Sequence, residues 1–428
     1  MKKIKEESLT RRNFLTRTAA LSTFFIVPRS VLGGKGYTPP SDRVTLGFIG
    51  NGRQSHDLLD FFVDTKEVQI LAGSDVYEVK RNYFKLRVDV AQSDSKKGCD
   101  VYNDFRELLN RKDIDAVVIA SPDYWHAVHT LRAAEAGKDI YGEKPLAHTI
   151  DEGRAMVTAV SKYKRIFQTG SMQRSWPEFR QTAELVRNGY IGDIKTIKVS
   201  VGGPPVDYDL PKEKLPEGLD WDLWLGPNSY YHYNSQLAPT LPFKIWGKWR
   251  NYKPFGGGEM ADWGAHMFDI VQWALDMDRS GPTNIIPPNG KEYPFLTYRY
   301  ANGITMTHED FGKWNAIRFV GTKGQIDVQR NKLETSPATL ADYKIGPNEK
   351  HVYYSDNHYK DWLNGIRKRT QPICDVETGH RSGSVCSLGN IAYELKRPLE
   401  WDPIKEKFIN DIEADKLIGR EMRKPWTL

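Results

Sequence analysis

Cysteine is scarce in this 428-residue chain: only Cys99, Cys374 and Cys386 are present. Three thiols exclude a disulfide framework, and their spacing is not that of a zinc site, so no metal centre is expected. One bridge at most, Cys374 to Cys386, is open to them, and free buried thiols fit the spacing better. Long apolar runs are lacking too. The most apolar stretch near the start, Ala19 to Val27, is broken by Ser22 and Thr23 and closed by Pro28. It falls well short of the roughly 20 residues that cross a bilayer, so stable membrane insertion is not expected. Charge of one sign is likewise missing from the body of the chain. The total is +6, but residues 1–33 hold seven Lys/Arg and two Glu. What remains is near neutral, with no global electrostatic case for nucleic acid as a partner. No internal repeat or low-complexity tract stands out.

What is present begins with Thr10-Arg11-Arg12-Asn13-Phe14-Leu15 ahead of that apolar run, the pattern of a twin-arginine export signal. Residues 1–33 are therefore expected to be a signal peptide, and the protein periplasmic. This route carries folded proteins, so a cofactor made in the cytoplasm would be bound before export and recycled within each catalytic cycle. The 12 Trp and 21 Tyr suit a carbohydrate-facing surface and equally a large aromatic core.

From Val44 to about Thr169 short apolar runs alternate with amphipathic segments, the mark of a parallel sheet covered by helices. Strands are expected at Val44–Ile49, Val68–Ala72, Ala116–Ala120, Asp139–Tyr141 and Ile166–Thr169. Helices are expected at Leu58–Val63, Phe105–Leu109, Ala127–Ala136 and Ile150–Ser161. Thr149-Ile150-Asp151-Glu152 fits a capping box, which puts Glu143-Lys144-Pro145 in a loop at the carboxyl edge of the sheet, where such sheets bind ligands. Later stretches, Ile194–Val201, Phe295–Tyr300, Ile304–His308, Ala316–Val320 and Gln325–Val328, alternate as strands of an open, largely antiparallel sheet. The fold class is thus α/β, an N-terminal Rossmann dinucleotide-binding domain followed by a C-terminal α/β domain. The boundaries expected are 43–170, 171–375, and a C-terminal helix and tail, 376–428, packing back on both.

Three constellations carry chemistry. Gly50-Asn51-Gly52-Arg53-Gln54-Ser55 is a Gly-x-Gly-x-x-Gly fingerprint with Ser55 in place of the last glycine. Gly50 permits a tight turn, and Gly52 lets a pyrophosphate approach backbone amides at a helix start. Asp75, at the end of the second strand, is placed to accept hydrogen bonds from ribose hydroxyls. A carboxylate there repels the extra phosphate of NADP, so NAD is the expected cofactor. The second constellation is Ser121-Pro122-Asp123-Tyr124-Trp125-His126 followed by Tyr141-Gly142-Glu143-Lys144-Pro145. The third is Gly256 to Asp269, in which Asp262, His266, Asp269 and Trp273 share one helical face.

In this order and spacing the motifs resemble the Gfo/Idh/MocA oxidoreductases, and Trp221 to Pro227 with Gly379-His380-Arg381 look like its exported bacterial subgroup. The resemblance implies that Lys144 lies beside nicotinamide and substrate, that Pro145 follows a cis bond, and that Asp262, His266 and Asp269 match the substrate-domain acids and histidine. Asn51, Arg53, Gln54, Ser121, Pro122, His126 and Glu143 become cofactor contacts. Arg174, Tyr231, His232 and Trp249 are, by position, candidate substrate contacts. Oxidising an alcohol requires removal of its hydroxyl proton. His266, oriented by Asp262, is the first choice for acceptor and Lys144 for stabilising alkoxide charge; the reverse assignment stays open.

The expected function is NAD-dependent oxidation and reduction of a sugar, cyclitol or glycoside hydroxyl by a homo-oligomer. Its rival is a glycosidase or lyase using NAD transiently, although the signature of the NAD-dependent glycosidases acting on N-acetylgalactosaminides is not found. A further alternative is a sugar-binding protein without catalysis.

Overall fold

Two sheets organise the chain. In the computed structural model, residues 42–93, 98–241 and 245–428 are described; the expected signal peptide lies outside them. Val44–Leu428 forms one compact unit that contains both sheets.

The first sheet is built from β1 (Val44–Ile49), β2 (Val68–Ser74), β3 (Asp100–Tyr102), β4 (Ala116–Ile119), β5 (Asp139–Gly142) and β6 (Phe167–Thr169), in the order β3-β2-β1-β4-β5-β6. Every pairing is parallel. β1, β2 and β4 are buried along almost their whole length, as strands sandwiched between two helical layers must be. The order reverses beside β1, so the loops after β1 and β4 diverge and leave a crevice at their carboxyl ends. The Thr149 capping box is formed, with Thr149 Oγ1 accepting from the Glu152 amide and Glu152 accepting from the Thr149 amide.

The second sheet comprises β7 (Ile194–Ser200), β8 (Asn284–Ile286), β9 (Leu296–Arg299), β10 (Thr305–His308), β11 (Ala316–Gly321), β12 (Gln325–Gln329), β13 (Lys332–Ser336), β14 (Leu399–Asp402) and β15 (Lys407–Phe408). It runs β13-β12-β11-β7-β10-β9-β8-β14-β15. Only the β7–β10 pair is parallel among the described strands. The helices Pro177–Arg187 and Gly264–Ala274 pack together over one face of this sheet, and Gly264–Ala274 is buried at every residue because the helix Val376–Leu395 covers its other side. That last helix also touches β6 and the helix Ile150–Lys162, so it contacts both sheets' layers. The segment after it does more than pack back: it adds β14 and β15 to the edge of the second sheet.

Helices beyond those expected include Glu78–Ala91, Trp221–Leu225, His358–Lys368 and Ile412–Asp415. No helix among the described residues is long and apolar enough to cross a membrane. Cys99, Cys374 and Cys386 are all free and buried.

Candidate active site

The glycine loop after β1 has the features a dinucleotide needs. Gly50 has φ +84°, and a Cβ there would lie 2.6 Å from the Ser121 backbone nitrogen, so this turn admits only glycine. Nothing lies within 4 Å of where a Gly52 Cβ would project, which leaves room for a phosphate against the helix start. Gly52 caps the helix Arg53–Asp64 without a side chain, so the first amides of that helix are free for an external anion. The buried Asn51 carboxamide and Ser55 hydroxyl have no protein partner either. Asp75 accepts from the Asn51 amide at 2.7 Å and the Tyr77 amide at 2.8 Å. This fixes its carboxylate at the cavity wall beside Lys80. These groups fit NAD.

A cavity of about 610 Å³ opens next to this loop. Gln54, Ser121, Trp249 and Arg250 line both it and the glycine-loop cavity, so the two are continuous walls of one crevice. Lys144 sits at its base, after β5, with the Lys144–Pro145 bond cis. The lysine ammonium pairs with the Asp262 carboxylate and donates to the Asp262 carbonyl at 2.9 Å. Asp262 also lies 3.7 Å from Arg250 Nε. Burial pushes the Asp262 carboxyl up, but Lys144 and Arg250 outweigh it and hold its pKa below the ordinary value.

His266 lines the same cavity; it is buried, and its Nδ1 has no partner. Burial, with the Lys144 and Arg330 cations nearby, holds its pKa well below the usual imidazole value, so the ring is neutral at physiological pH and free to accept a proton. Asp262 does not orient it. The helix breaks at Trp263, with Glu259–Asp262 ending before Gly264–Ala274 begins, and the Asp262 carboxylate turns to Lys144 instead.

His126 ties the two loops together, one ring nitrogen 2.9 Å from the Pro145 carbonyl and the other 2.9 Å from that of Ser121. Burial lowers its pKa while the two carbonyls resist; its role is to hold the Glu143-Lys144-Pro145 loop in place. Ser121 meets His129 Nδ1 at 3.0 Å, Pro122 lines the glycine-loop cavity, and Arg53 lies over the Trp246 ring. Gln54 donates to Glu143 at 2.8 Å, and burial pushes Glu143 up to about 7 against the pull of Lys144.

Four expected substrate contacts lie elsewhere. Arg174 and Asp269 are each 1 % exposed and bind one another at 2.7 and 2.8 Å, with Asp278 completing the guanidinium's partners. They form a buried ionic brace under the second sheet's helices, because Asp269 lies on the part of its helix that faces Arg174. His232 is bound to the Leu210 carbonyl at 2.7 Å. Tyr231 packs on Phe255 and Tyr208 and borders a separate cleft. Trp249 does line the crevice.

Other wall residues escaped the sequence reading: Asp123, Trp176, Arg250, Glu259, Trp263 and Arg330. Asp123 stands inside the quoted Ser121–His126 motif, and burial pushes its carboxyl up to about 8 despite Arg250 and Lys144. Arg330 comes from the turn between β12 and β13, more than 180 positions from Lys144, and no local pattern signals it.

Two family models match the chain: an oxidoreductase-family NAD-binding Rossmann fold over residues 44–171, and an oxidoreductase-family C-terminal alpha/beta domain over 203–428. An uncharacterized oxidoreductase, YrbE, of Bacillus subtilis (strain 168) is 31 % identical over 374 residues, covering 84 % of this chain and 95 % of its own. A glycosyl hydrolase family 109 protein of Shewanella sp. (strain ANA-3) is 29 % identical over 170 residues, 39 % of this chain and 36 % of its own. Among solved structures, aldose-aldose oxidoreductase from Caulobacter crescentus, complexed with glycerol, superposes with a TM-score of 0.58 at 16 % identity, covering 84 % of this chain and 99 % of that one. With both of its parts matched and the crevice between them in place, the chain belongs to the Gfo/Idh/MocA oxidoreductase family and carries that family's NAD-binding Rossmann domain.

Proposed function

We propose that the protein oxidises and reduces a hydroxyl of a sugar, cyclitol or glycoside, using NAD that stays bound and is recycled by a second substrate. The observation that carries this is Lys144 locked to Asp262 beside an unpartnered, neutral His266 in one crevice. Bound NAD would supply the hydride acceptor. The Lys144 ammonium donates a hydrogen bond to the reacting oxygen and stabilises its developing negative charge. His266 takes the hydroxyl proton; Asp262 keeps the lysine aimed. Trp176, Trp249 and Trp263 around the cavity give apolar faces on which a sugar ring can lie. We further propose a periplasmic location, from the twin arginines, and a homo-oligomer.

A second reading, bond cleavage through transient oxidation, is favoured by Asp123 and Glu143. Burial brings their carboxyls to about 8 and about 7, so each can carry a proton to a leaving oxygen at neutral pH, as elimination requires. The partial likeness to a glycosyl hydrolase points the same way.

The deciding experiment is to denature the purified protein, identify any released nucleotide by mass, and then screen glycosides for products. Stoichiometric NAD(H) with a keto-sugar supports the oxidoreductase; NAD(H) with a free sugar and no net redox change supports cleavage. Sugar binding with no nucleotide, and no turnover on adding any, would reject both and leave a binding protein.

A further inference from the structure

Arg330 is a cation of the cavity wall with no carboxylate partner among the described residues. It occupies the two-residue turn between β12 and β13, where Gln329 pairs with Lys332, and the turn is pinned by the Asn331 amide donating to Glu178 at 2.7 Å. Its Nε donates to the buried Gln173 at 3.2 Å, and its guanidinium lies 5.1 Å from the Trp176 ring and 4.5 Å from the Trp263 ring. Backbone, amide and two indoles thus hold it in one pose at the cavity wall.

What it lacks is a carboxylate. Several other buried or part-buried arginines have one: Arg174 binds Asp269 and Asp278, Arg154 binds Glu377 and Glu406, Arg420 binds Glu152, and Arg250 approaches Asp262. Among the described residues no acid lies within ion-pair distance of Arg330. Removing a guanidinium from water without a counter-ion is costly, and burial pulls its pKa down accordingly. A planar fork held between aromatic rings is suited to two parallel hydrogen bonds with a carboxylate.

The rest of the cavity would tolerate such a guest. Asp262 is already neutralised by Lys144. The other wall carboxyls, Asp57, Asp123, Glu143 and Glu259, are all pushed toward their neutral forms, chiefly by burial.

Resting on the sugar-hydroxyl reading above, we propose that the substrate is an acidic sugar, a hexuronic acid or its glycoside, whose carboxylate docks on Arg330 while a ring hydroxyl meets Lys144 and His266. Specificity then comes from a part-buried cation that a neutral sugar would leave unpaired.

The test titrates the full-length, NAD-loaded protein with the methyl glucuronide, methyl galacturonide and their neutral glucoside and galactoside counterparts. Tryptophan fluorescence reports binding, because Trp176 and Trp263 flank the guanidinium. At least one uronide should bind about tenfold or more tightly than its neutral partner. Arg330→Gln should remove that preference while leaving nucleotide content unchanged, and Arg330→Lys should retain part of it. The wild-type preference should also shrink as salt is raised, a readout that survives if a variant fails to fold. Equal affinity for neutral and acidic partners, no saturable uronide binding, or a preference that persists in Arg330→Gln would overturn the proposal. Absorbance of reduced nicotinamide separates the two ideas. A uronide that binds through Arg330 without reducing the cofactor refutes the redox reading alone. Reduction by neutral glycosides with no acid preference refutes the Arg330 site alone.

Discussion

In the proposed reaction Lys144 and His266 divide the work at the reacting oxygen, and each should be separable from folding. Neither belongs to a core cluster, and truncating either removes a group that faces the cavity. Lys144→Ala should lower kcat by about 10²–10³, and His266→Ala by about 10²–10⁴, with melting temperature and nucleotide content near those of the parent; wild-type turnover in both would remove the assigned site. Asp75 offers a second residue-level test. Its carboxylate is held by two backbone amides beside the half-buried Lys80, so Asp75→Ala leaves a cation where an extra phosphate would lie. Discrimination against NADP, measured as a ratio of dissociation constants, should fall; an unchanged ratio would reject the ribose role. Arg174 differs in kind. Arg174→Ala strands the buried Asp269 without a counter-charge and should cost about 3–5 kcal/mol of stability, measured by denaturant unfolding, whereas a substrate-binding role would instead raise KM in a stable protein.

At the level of elements, the helix Val376–Leu395 is fastened to Ile150–Lys162 by charge as well as by packing. Arg154 binds Glu377 at 2.7 and 2.9 Å and Glu406 at 2.7 and 2.8 Å, Arg381 binds Glu377 at 2.7 Å, and His380 reaches Glu406 at 2.7 Å. Burial pushes the Glu377 carboxyl up, but the hydrogen bonds from Arg154 and Arg381 dominate and draw it down to about 2 from an ordinary 4.5. A depressed carboxyl stabilises the fold above its unfolded pKa and loses that contribution as protons bind. The melting temperature should therefore fall between about pH 4.5 and pH 2. Glu377→Gln should be less stable at pH 7 and show a shallower fall over that window; parallel curves would mean the fastening contributes nothing. Elements differed in how far the sequence revealed them. β1, β2 and β4 are continuous apolar runs because both faces are covered. The edge strand β3 is three residues with no buried side chain, and β13 alternates between exposed and half-buried positions, so neither leaves an apolar signature. The helix Glu78–Ala91 buries only Phe84 and Val88, too narrow a stripe to register as amphipathic.

Across the whole molecule, the crevice is walled by both layers. The glycine loop and the Glu143–Pro145 loop come from the first sheet, Asp262 and His266 from helices over the second, and Arg330 from that sheet's far hairpin. A nucleotide seated there binds the folded unit and not the unfolded chain, so its affinity adds directly to stability. Protein stripped of nucleotide should melt several degrees lower than loaded protein, and added NAD should restore the difference in a concentration-dependent way. A melting temperature indifferent to NAD would mean that the fingerprint does not hold it.

The order of motifs along the chain was enough to determine the α/β class, the Rossmann sheet and the dinucleotide loop, each of which depends on local spacing: a strand period, a tight glycine turn, a helix repeat. The family resemblance those motifs carry is what singled out Lys144, Asp262 and His266 as candidates. Partnership was another matter. Periodicity put Asp262, His266 and Asp269 on one face, yet a helix break at Trp263 turned Asp262 to Lys144, and burial paired Asp269 with Arg174. Asp123 and Arg330 became cavity walls only when distant loops met. Charge compensation is a property of three-dimensional neighbourhoods, and a linear spacing cannot say which ions meet, which are buried, and which stand without a counter-ion.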